Sequence, residues 1–219
     1  MMAGPTGSAI LVIYGRGMAA GPAERASLLC AAAGGDSDRL SVGDVDRAIW
    51  GWLRATFDGP HDAVLTCAAC GDDVEFTLPD DFAWPARQGD DMVTVVHGGA
   101  EHRMRMPRLA DLRGGTLARD RLADGAPWDD PAFAAAAEAA LLEADPGIRV
   151  EVRLDCAACG AAQVTVFDAA GFAWARLEQA ARRVVREVAT LARAFGWSEA
   201  ELTAMTPERR AIWLAEVEG

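Results

Sequence analysis

Four of the five cysteines form two pairs that have the spacing of metal ligands. Cys67 and Cys70 make the first Cys-x-x-Cys pair, and Cys156 and Cys159 make the second. Two thiolates three residues apart can bind one metal ion from a single tight turn. A glycine follows each pair, and glycine tolerates the positive φ that turns backbone N–H groups towards the sulfurs. Each pair therefore predicts a metal-binding knuckle.

One shared site is the simplest arrangement for these thiolates. A structural zinc ion takes four ligands, which the two pairs supply together, although 85 residues separate Cys70 from Cys156. We therefore predict one structural Zn²⁺ per chain, bound by Cys67, Cys70, Cys156 and Cys159. Four thiolates leave no position for a catalytic water, which favours a protein that is not an enzyme.

Two other interpretations of the cysteines stay open at this point. The pairs could be dithiols or disulfides without metal, although strand-like runs follow both, whereas a thioredoxin-type motif begins a helix. They could also form two separate metal sites, completed by acidic residues or by His61, His97 or His102, or a site that has lost its metal. The fifth cysteine, Cys30, lies in an apolar stretch and is expected to be a small buried core residue.

The surroundings of the two pairs repeat. One copy reads LTCAACGDDVEFTLPDDFAW and ends at Trp84, and the other reads LDCAACGAAQVTVFDAAGFAW and ends at Trp174. Both contain a knuckle, a strand-like run, an acidic turn and a final Phe-Ala-Trp. This pattern indicates an internal duplication or a pseudo-two-fold arrangement, in which each knuckle joins two strands as in a zinc ribbon.

Helical periodicity and turn residues indicate the elements around the knuckles. Helices are predicted over 22–33, 44–57, 130–144 and beyond residue 172, where Gly196 ends a long helix. Ser198 and Glu201 form a capping box, Pro207 begins the last helix, and 93–106 predicts a β-hairpin. The predicted class is α+β, a small zinc-ribbon-like β region flanked by helices, with a C-terminal helical segment. The predicted divisions are a disordered N-terminus (1–7), a first half with the first knuckle (8–112), a linker (113–130) and a second half with the second knuckle (131–219).

Composition and charge narrow the function classes. The chain has 219 residues, 51% of them hydrophobic and 25% charged, which is ordinary for a globular protein. Its formal net charge of −12 disfavours binding to nucleic acid or to an anionic membrane. The early apolar run at 9–14 is too short for a membrane span or a secretory signal. The sequence contains none of the common catalytic motifs. We therefore expect a cytoplasmic or particle-associated protein with no small-molecule substrate.

The stretch from residue 148 onwards carries a family resemblance. After the second knuckle come a Phe-Asp strand end and an aromatic residue, followed by a Glu/Arg-rich helix and further motifs: Trp174, Val188-x-x-Leu191-Ala192, Phe195-Gly196-Trp197-Ser198-Glu199, Leu202 and Arg209-Arg210 before Trp213. This order resembles the baseplate hub assembly chaperone family of T-even-like contractile phages, which has relatives in gene clusters of phage-tail-like contractile injection systems. The first half is similar more loosely, and both knuckles have Ala where the family often has Cys-Pro-x-Cys.

The resemblance implies a non-enzymatic assembly chaperone or minor baseplate component that binds baseplate or hub proteins of a contractile tail-like particle. The candidate partner-binding residues are Trp197, Glu199, Arg209 and Arg210, which could equally serve helix caps and surface ion pairs. Two other functions stay open as alternatives to this assembly role. One is a zinc-ribbon adaptor for nucleic acid or transcription machinery, against which the net charge argues. The other is a dithiol oxidoreductase.

Overall fold

Helices form both ends of the described chain, and the β-hairpins lie between them. The structure is a computed structural model that describes residues 6–113 and 116–218. Residues 1–5, most of the predicted disordered N-terminus, lie outside the described residues, and the first helix begins at Gly7.

The described residues contain seven α-helices, most of them close to the predicted positions. They are α1 (Gly7–Gly17), α2 (Pro22–Ala32), α3 (Val42–Thr56), α4 (Pro131–Ala144), α5 (Ala169–Phe195), α6 (Glu199–Ala204) and α7 (Pro207–Glu218). Ser41, Asp130 and Asp168 cap α3, α4 and α5, because their side-chain oxygens accept backbone N–H groups of the first turn. The cap at Asp168 explains why α5 begins before residue 172.

Eight strands pair two by two as antiparallel hairpins in the described residues. They are β1 (His61–Thr66), β2 (Asp73–Leu78), β3 (Met92–His97), β4 (Ala100–Arg105), β5 (Leu112–Arg113), β6 (Thr116–Leu117), β7 (Glu151–Asp155) and β8 (Ala162–Val166). β1–β2 and β7–β8 carry the two knuckles, and β3–β4 turns at the predicted Gly98-Gly99. The predicted α+β class with a zinc-ribbon-like region is confirmed.

The main core lies between α3 and α5. Val45, Ile49 and Leu53 repeat every four residues along α3 and are completely buried, as an amphipathic helix requires. Beside them Trp50 is surrounded by aromatic side chains from both repeat units, including Trp84 and Phe167. The two Phe-Ala-Trp exits thus contribute to one core rather than to two.

A second apolar cluster holds α4 against β3–β4. It contains Val95, Met104, Phe133 and Ala137. The segment predicted as a linker, 113–130, supplies buried Leu122 and Ala123 to this region. Its described part therefore packs as part of the fold, although the division of the chain into two halves stays a prediction.

A buried ion pair joins α3 to the turn before the second knuckle hairpin. Asp145 is fully buried and accepts three hydrogen bonds from the Arg47 guanidinium and one from the Gly147 backbone N–H. Arg47 also donates to the Pro85 carbonyl at 2.9 Å. Because these groups come from three distant stretches of chain, the pair fixes the two halves relative to each other.

Helix α1 packs closely against α5. A Cβ atom placed on Gly17 would lie 2.2 Å from the Trp174 ring, so only glycine allows this approach. Arg25 stacks 4.6 Å from the centre of the same ring and donates to the Gly17 carbonyl at 3.0 Å. The contact combines close packing with a cation–π interaction.

The C-terminal helices fold back onto α5. Gly196 has a φ of 73° and ends α5 in the left-handed conformation, and Ser198 and Glu201 form the predicted capping box of α6. Arg210 of α7 is only 2% exposed and donates to Glu187 of α5 at 2.8 Å. Phe195 stacks on Trp197, and the Trp213 ring meets both of them edge-on.

Candidate metal centre

The two knuckles have the same backbone conformation. In each one, the first cysteine donates its N–H to a residue beyond the turn and accepts from the glycine, with Cys67 bonded to Asp72 and Gly71, and Cys156 bonded to Ala161 and Gly160. The two glycines have φ values of 82° and 72°. This left-handed region favours glycine, which confirms the predicted role of both glycines.

All four predicted sulfurs meet at one place. The Sγ atoms of Cys67, Cys70, Cys156 and Cys159 lie within 4.8 Å of one another. The contacts between knuckles are 3.8 Å for Cys67–Cys159 and 3.7 Å for Cys70–Cys156. Sulfurs about 2.3 Å from a central zinc ion would lie about 3.8 Å apart at the corners of a tetrahedron. The cluster therefore has the ligand number and the dimensions of a single tetrahedral metal site.

The hairpins place these sulfurs on an apolar base. Cys67 and Cys156 are 2% and 3% exposed and pack with Val74. Cys70 and Cys159 are exposed. Apolar side chains thus exclude water from one side of the site, while the second sulfur of each knuckle faces solvent.

Backbone N–H groups stabilise negative charge on the sulfurs. The N–H groups of Cys70 and Ala69 hydrogen-bond to the Cys67 sulfur and lower its pKa to about 7. The Asp72 N–H acts in the same sense on Cys70, but the neighbouring sulfurs, that of Cys159 first, together with partial desolvation raise the net pKa of that thiol. Four thiols this close cannot all ionise without a cation, so the arrangement suits a bound metal ion.

One hydrogen bond crosses directly between the knuckles. The Ala68 backbone N–H donates to Gln163 Oε1 of β8 at 3.4 Å. Nothing in the sequence singles out Gln163, because its place in a strand-like run gives no sign of which knuckle lies opposite.

The histidines lie away from the sulfur cluster. His61 is buried against Trp50, His97 contacts Asp130 at 2.8 Å, and His102 meets the Phe133 ring edge-on. The metal-ligating group found among the described residues contains the four cysteines and no histidine. The geometry therefore supports one shared site rather than two sites completed by histidines. Cys30 is completely buried in the main core, as expected.

The candidate partner-binding residues separate into exposed and buried groups. Glu199 and Arg209 are exposed, and Trp197 is half-buried. Arg210 does not fit the expectation of an exposed group, because its guanidinium lies inside the protein with Glu187 and the Met205 carbonyl. Arg210 therefore holds α7 on α5.

No helix of the described residues is long and apolar enough to span a membrane. Comparison of the chain with family models, curated proteins and solved structures gave no match.

Proposed function

We propose that this chain is a zinc-stabilised, non-enzymatic assembly factor that works by binding other proteins. The observation that carries the proposal is that the cysteine sulfurs of both knuckles meet at one place. The pairs in contact, Cys67–Cys159 and Cys70–Cys156, are 92 and 86 positions apart in sequence. A closed four-sulfur site holds a metal ion for structural purposes. Zinc suits this site because it has no redox chemistry and because structural zinc sites with four thiolate ligands are tetrahedral.

The zinc ion would act as a cross-link between the repeat units. Each knuckle hairpin has only two strands, and an isolated two-stranded hairpin is at best marginally stable in water. A shared ion bound by both tips would stabilise them together and hold the helices on a rigid base.

The family resemblance names the class of partner. It supports an assembly chaperone or minor baseplate component of a contractile phage tail-like injection system, with baseplate or hub proteins as partners. Trp197 and Arg209 line the same surface hollow, and Glu199 is exposed in the first turn of α6. These three residues form the candidate contact surface. Trp and Arg are the residue types enriched in interface hot spots.

Metal analysis with two serine variants tests the zinc site. Cys156→Ser should lose the zinc and lower the melting temperature by about 10 °C or more, since a structural zinc ion contributes several kcal/mol. Cys30→Ser is the matched control and should keep one zinc per chain. Iron bound in place of zinc, or unchanged metal content in Cys156→Ser, would overturn the assignment.

Co-purification from cells that carry the particle genes tests the partner class. Wild-type chain should recover baseplate or hub proteins, and Arg209→Glu and Glu199→Arg should reduce this recovery. Arg39→Glu changes an exposed charge elsewhere and should have no effect. Recovery of nucleic acid or RNA polymerase without tail proteins would contradict the assembly role and favour the adaptor function.

A further inference from the structure

The four sulfurs differ in exposure in a regular way. The first sulfur of each knuckle is buried and the second is exposed. Oxidants in solution reach exposed thiolates first, so Cys70 and Cys159 are the positions at which oxidation would begin.

Each exposed sulfur lies beside the buried sulfur of the other knuckle. Cys159 contacts Cys67 at 3.8 Å, and Cys70 contacts Cys156 at 3.7 Å. Both contacts must shorten to about 2.05 Å to form a disulfide. Each exposed sulfur thus has a buried sulfur of the opposite repeat unit in contact with it.

We propose that hydrogen peroxide converts the metal cross-link into two covalent cross-links, Cys67–Cys159 and Cys70–Cys156. This inference rests on the metal site of the proposed function. The ion leaves, because disulfide sulfurs are poor ligands, but the two knuckles stay joined.

The chemistry is balanced for each pair. The exposed thiolate attacks one peroxide oxygen, so that an S–O bond forms, the O–O bond breaks, and hydroxide leaves to become water after taking a proton. The buried thiolate then attacks the sulfenic sulfur, so that the S–S bond forms and the S–O bond breaks, and the hydroxide that leaves becomes water. Solvent supplies the proton in each of the two steps. Each disulfide consumes one peroxide and two electrons from sulfur, so that one chain consumes two peroxides and releases one Zn²⁺ without change of its charge.

The connectivity decides what oxidation does to the fold. A disulfide within a knuckle joins residues three apart and constrains almost nothing. The proposed disulfides close loops of 92 and 86 residues, and long closed loops restrict the unfolded chain most. Oxidised protein would therefore lose its metal, while its two knuckles would stay covalently joined.

Peptide mapping of wild-type protein tests the connectivity directly. The chain has arginine but no lysine, so trypsin places Cys67 and Cys70 on peptide 55–87 and the other pair on 154–176. After titration of the zinc-loaded chain with peroxide, we expect one cross-linked species of these two peptides. Fragmentation should place the bonds at 67–159 and 70–156. A chromogenic chelator should report one zinc released per two peroxides, and Cys30→Ala should give the same result.

Two measurements would overturn the proposal. One is recovery of separate, internally bonded peptides, and the other is sulfinic or sulfonic acid on Cys70 and Cys159 without disulfide. Melting adds an independent readout, because oxidised chain should stay within a few degrees of the zinc-loaded form while reduced, chelated chain should melt lower. Chain that purifies without metal and does not bind zinc contradicts the zinc site itself. Mapping of that metal-free protein still decides the connectivity.

Discussion

Some charged residues that the sequence pattern would place on the surface are buried in the structure and stabilise it. Arg209 and Arg210 are adjacent in α7, yet one is exposed and the other is 2% exposed. Arg210 donates to Glu187 and to the Met205 carbonyl. Its removal would leave the carbonyl without this donor and would leave Glu187 with only a 3.9 Å contact to Arg183.

Replacement of Arg210 should therefore be costly, whereas the same change at its neighbour should not. We expect Arg210→Ala to lower the free energy of unfolding by about 2–4 kcal/mol, because a buried guanidinium and its hydrogen bonds to a partly buried carboxylate and a carbonyl are lost. Arg209→Ala is the matched control and should stay within about 0.5 kcal/mol of wild type. Chemical denaturation measures both, and equal effects would show that Arg210 is not held as described.

Asp46 makes stability depend on pH. Burial, followed by the negative charge of Asp168, raises the pKa of this carboxyl from 3.8 to about 7 in the folded protein. The folded state therefore keeps a proton that the unfolded state has lost, so this group's contribution to stability falls as pH rises from about 4 to 7.

Asp46→Asn should remove this dependence. One pKa unit corresponds to about 1.4 kcal/mol, so we expect the variant to be more stable than wild type at pH 8 by on the order of 1–3 kcal/mol. At pH 4 the difference should vanish. Thermal melting at both pH values measures the effect, with Asp58→Asn as a control for the loss of one exposed charge. Equal differences at the two pH values would contradict the raised pKa.

Close packing of α1 on α5 depends on the absence of one side chain. Gly15 and Gly17 both lie in α1, but a Cβ on Gly15 would meet nothing within 4 Å, whereas one on Gly17 would enter the Trp174 ring. The two positions thus separate helix propensity from packing within a single element.

The two alanine substitutions should have opposite signs. Gly15→Ala should stabilise the protein by up to about 1 kcal/mol, because alanine has the higher helix propensity. Gly17→Ala should destabilise it by about 1–3 kcal/mol, the range typical of overpacking. Tryptophan fluorescence during denaturation can follow both variants. Stabilisation by both would mean that α1 does not pack at this distance.

At the scale of the whole molecule, the knuckle hairpins and the region of α4 with β3–β4 are stabilised by different interactions. The knuckle hairpins meet through four sulfurs and a small apolar base, while α4 and β3–β4 have an apolar cluster of their own. Loss of the metal should therefore loosen one region and spare the other.

Hydrogen exchange with and without a chelator measures this difference. We expect metal removal to speed amide exchange at least tenfold in β1, β2, β7 and β8, because their local stability depends on the ion. Exchange in β3, β4 and α4 should change little. Uniform acceleration over the whole chain would instead show that the fold depends on the metal as a single unit.

Local features could be predicted because their causes are local. A capping side chain, a glycine of positive φ and a run of apolar residues act within a few positions, so the sequence predicted α3, α4, the β3–β4 hairpin and both knuckles nearly at their observed bounds. The identity of the four candidate ligands followed from their spacing in the same way.

The remaining features come from residues that are far apart in sequence. Nothing local distinguishes Arg210 from Arg209, or pairs Arg47 with Asp145 across 98 positions. The meeting of the two knuckles was an expectation from ligand number, and only the folded chain places Cys67 beside Cys159. Sequence alone determined which atoms could bind a metal, because thiolate chemistry belongs to the residue. Tertiary structure decided which of them face one another and which face water, because burial and contact depend on how the whole chain packs.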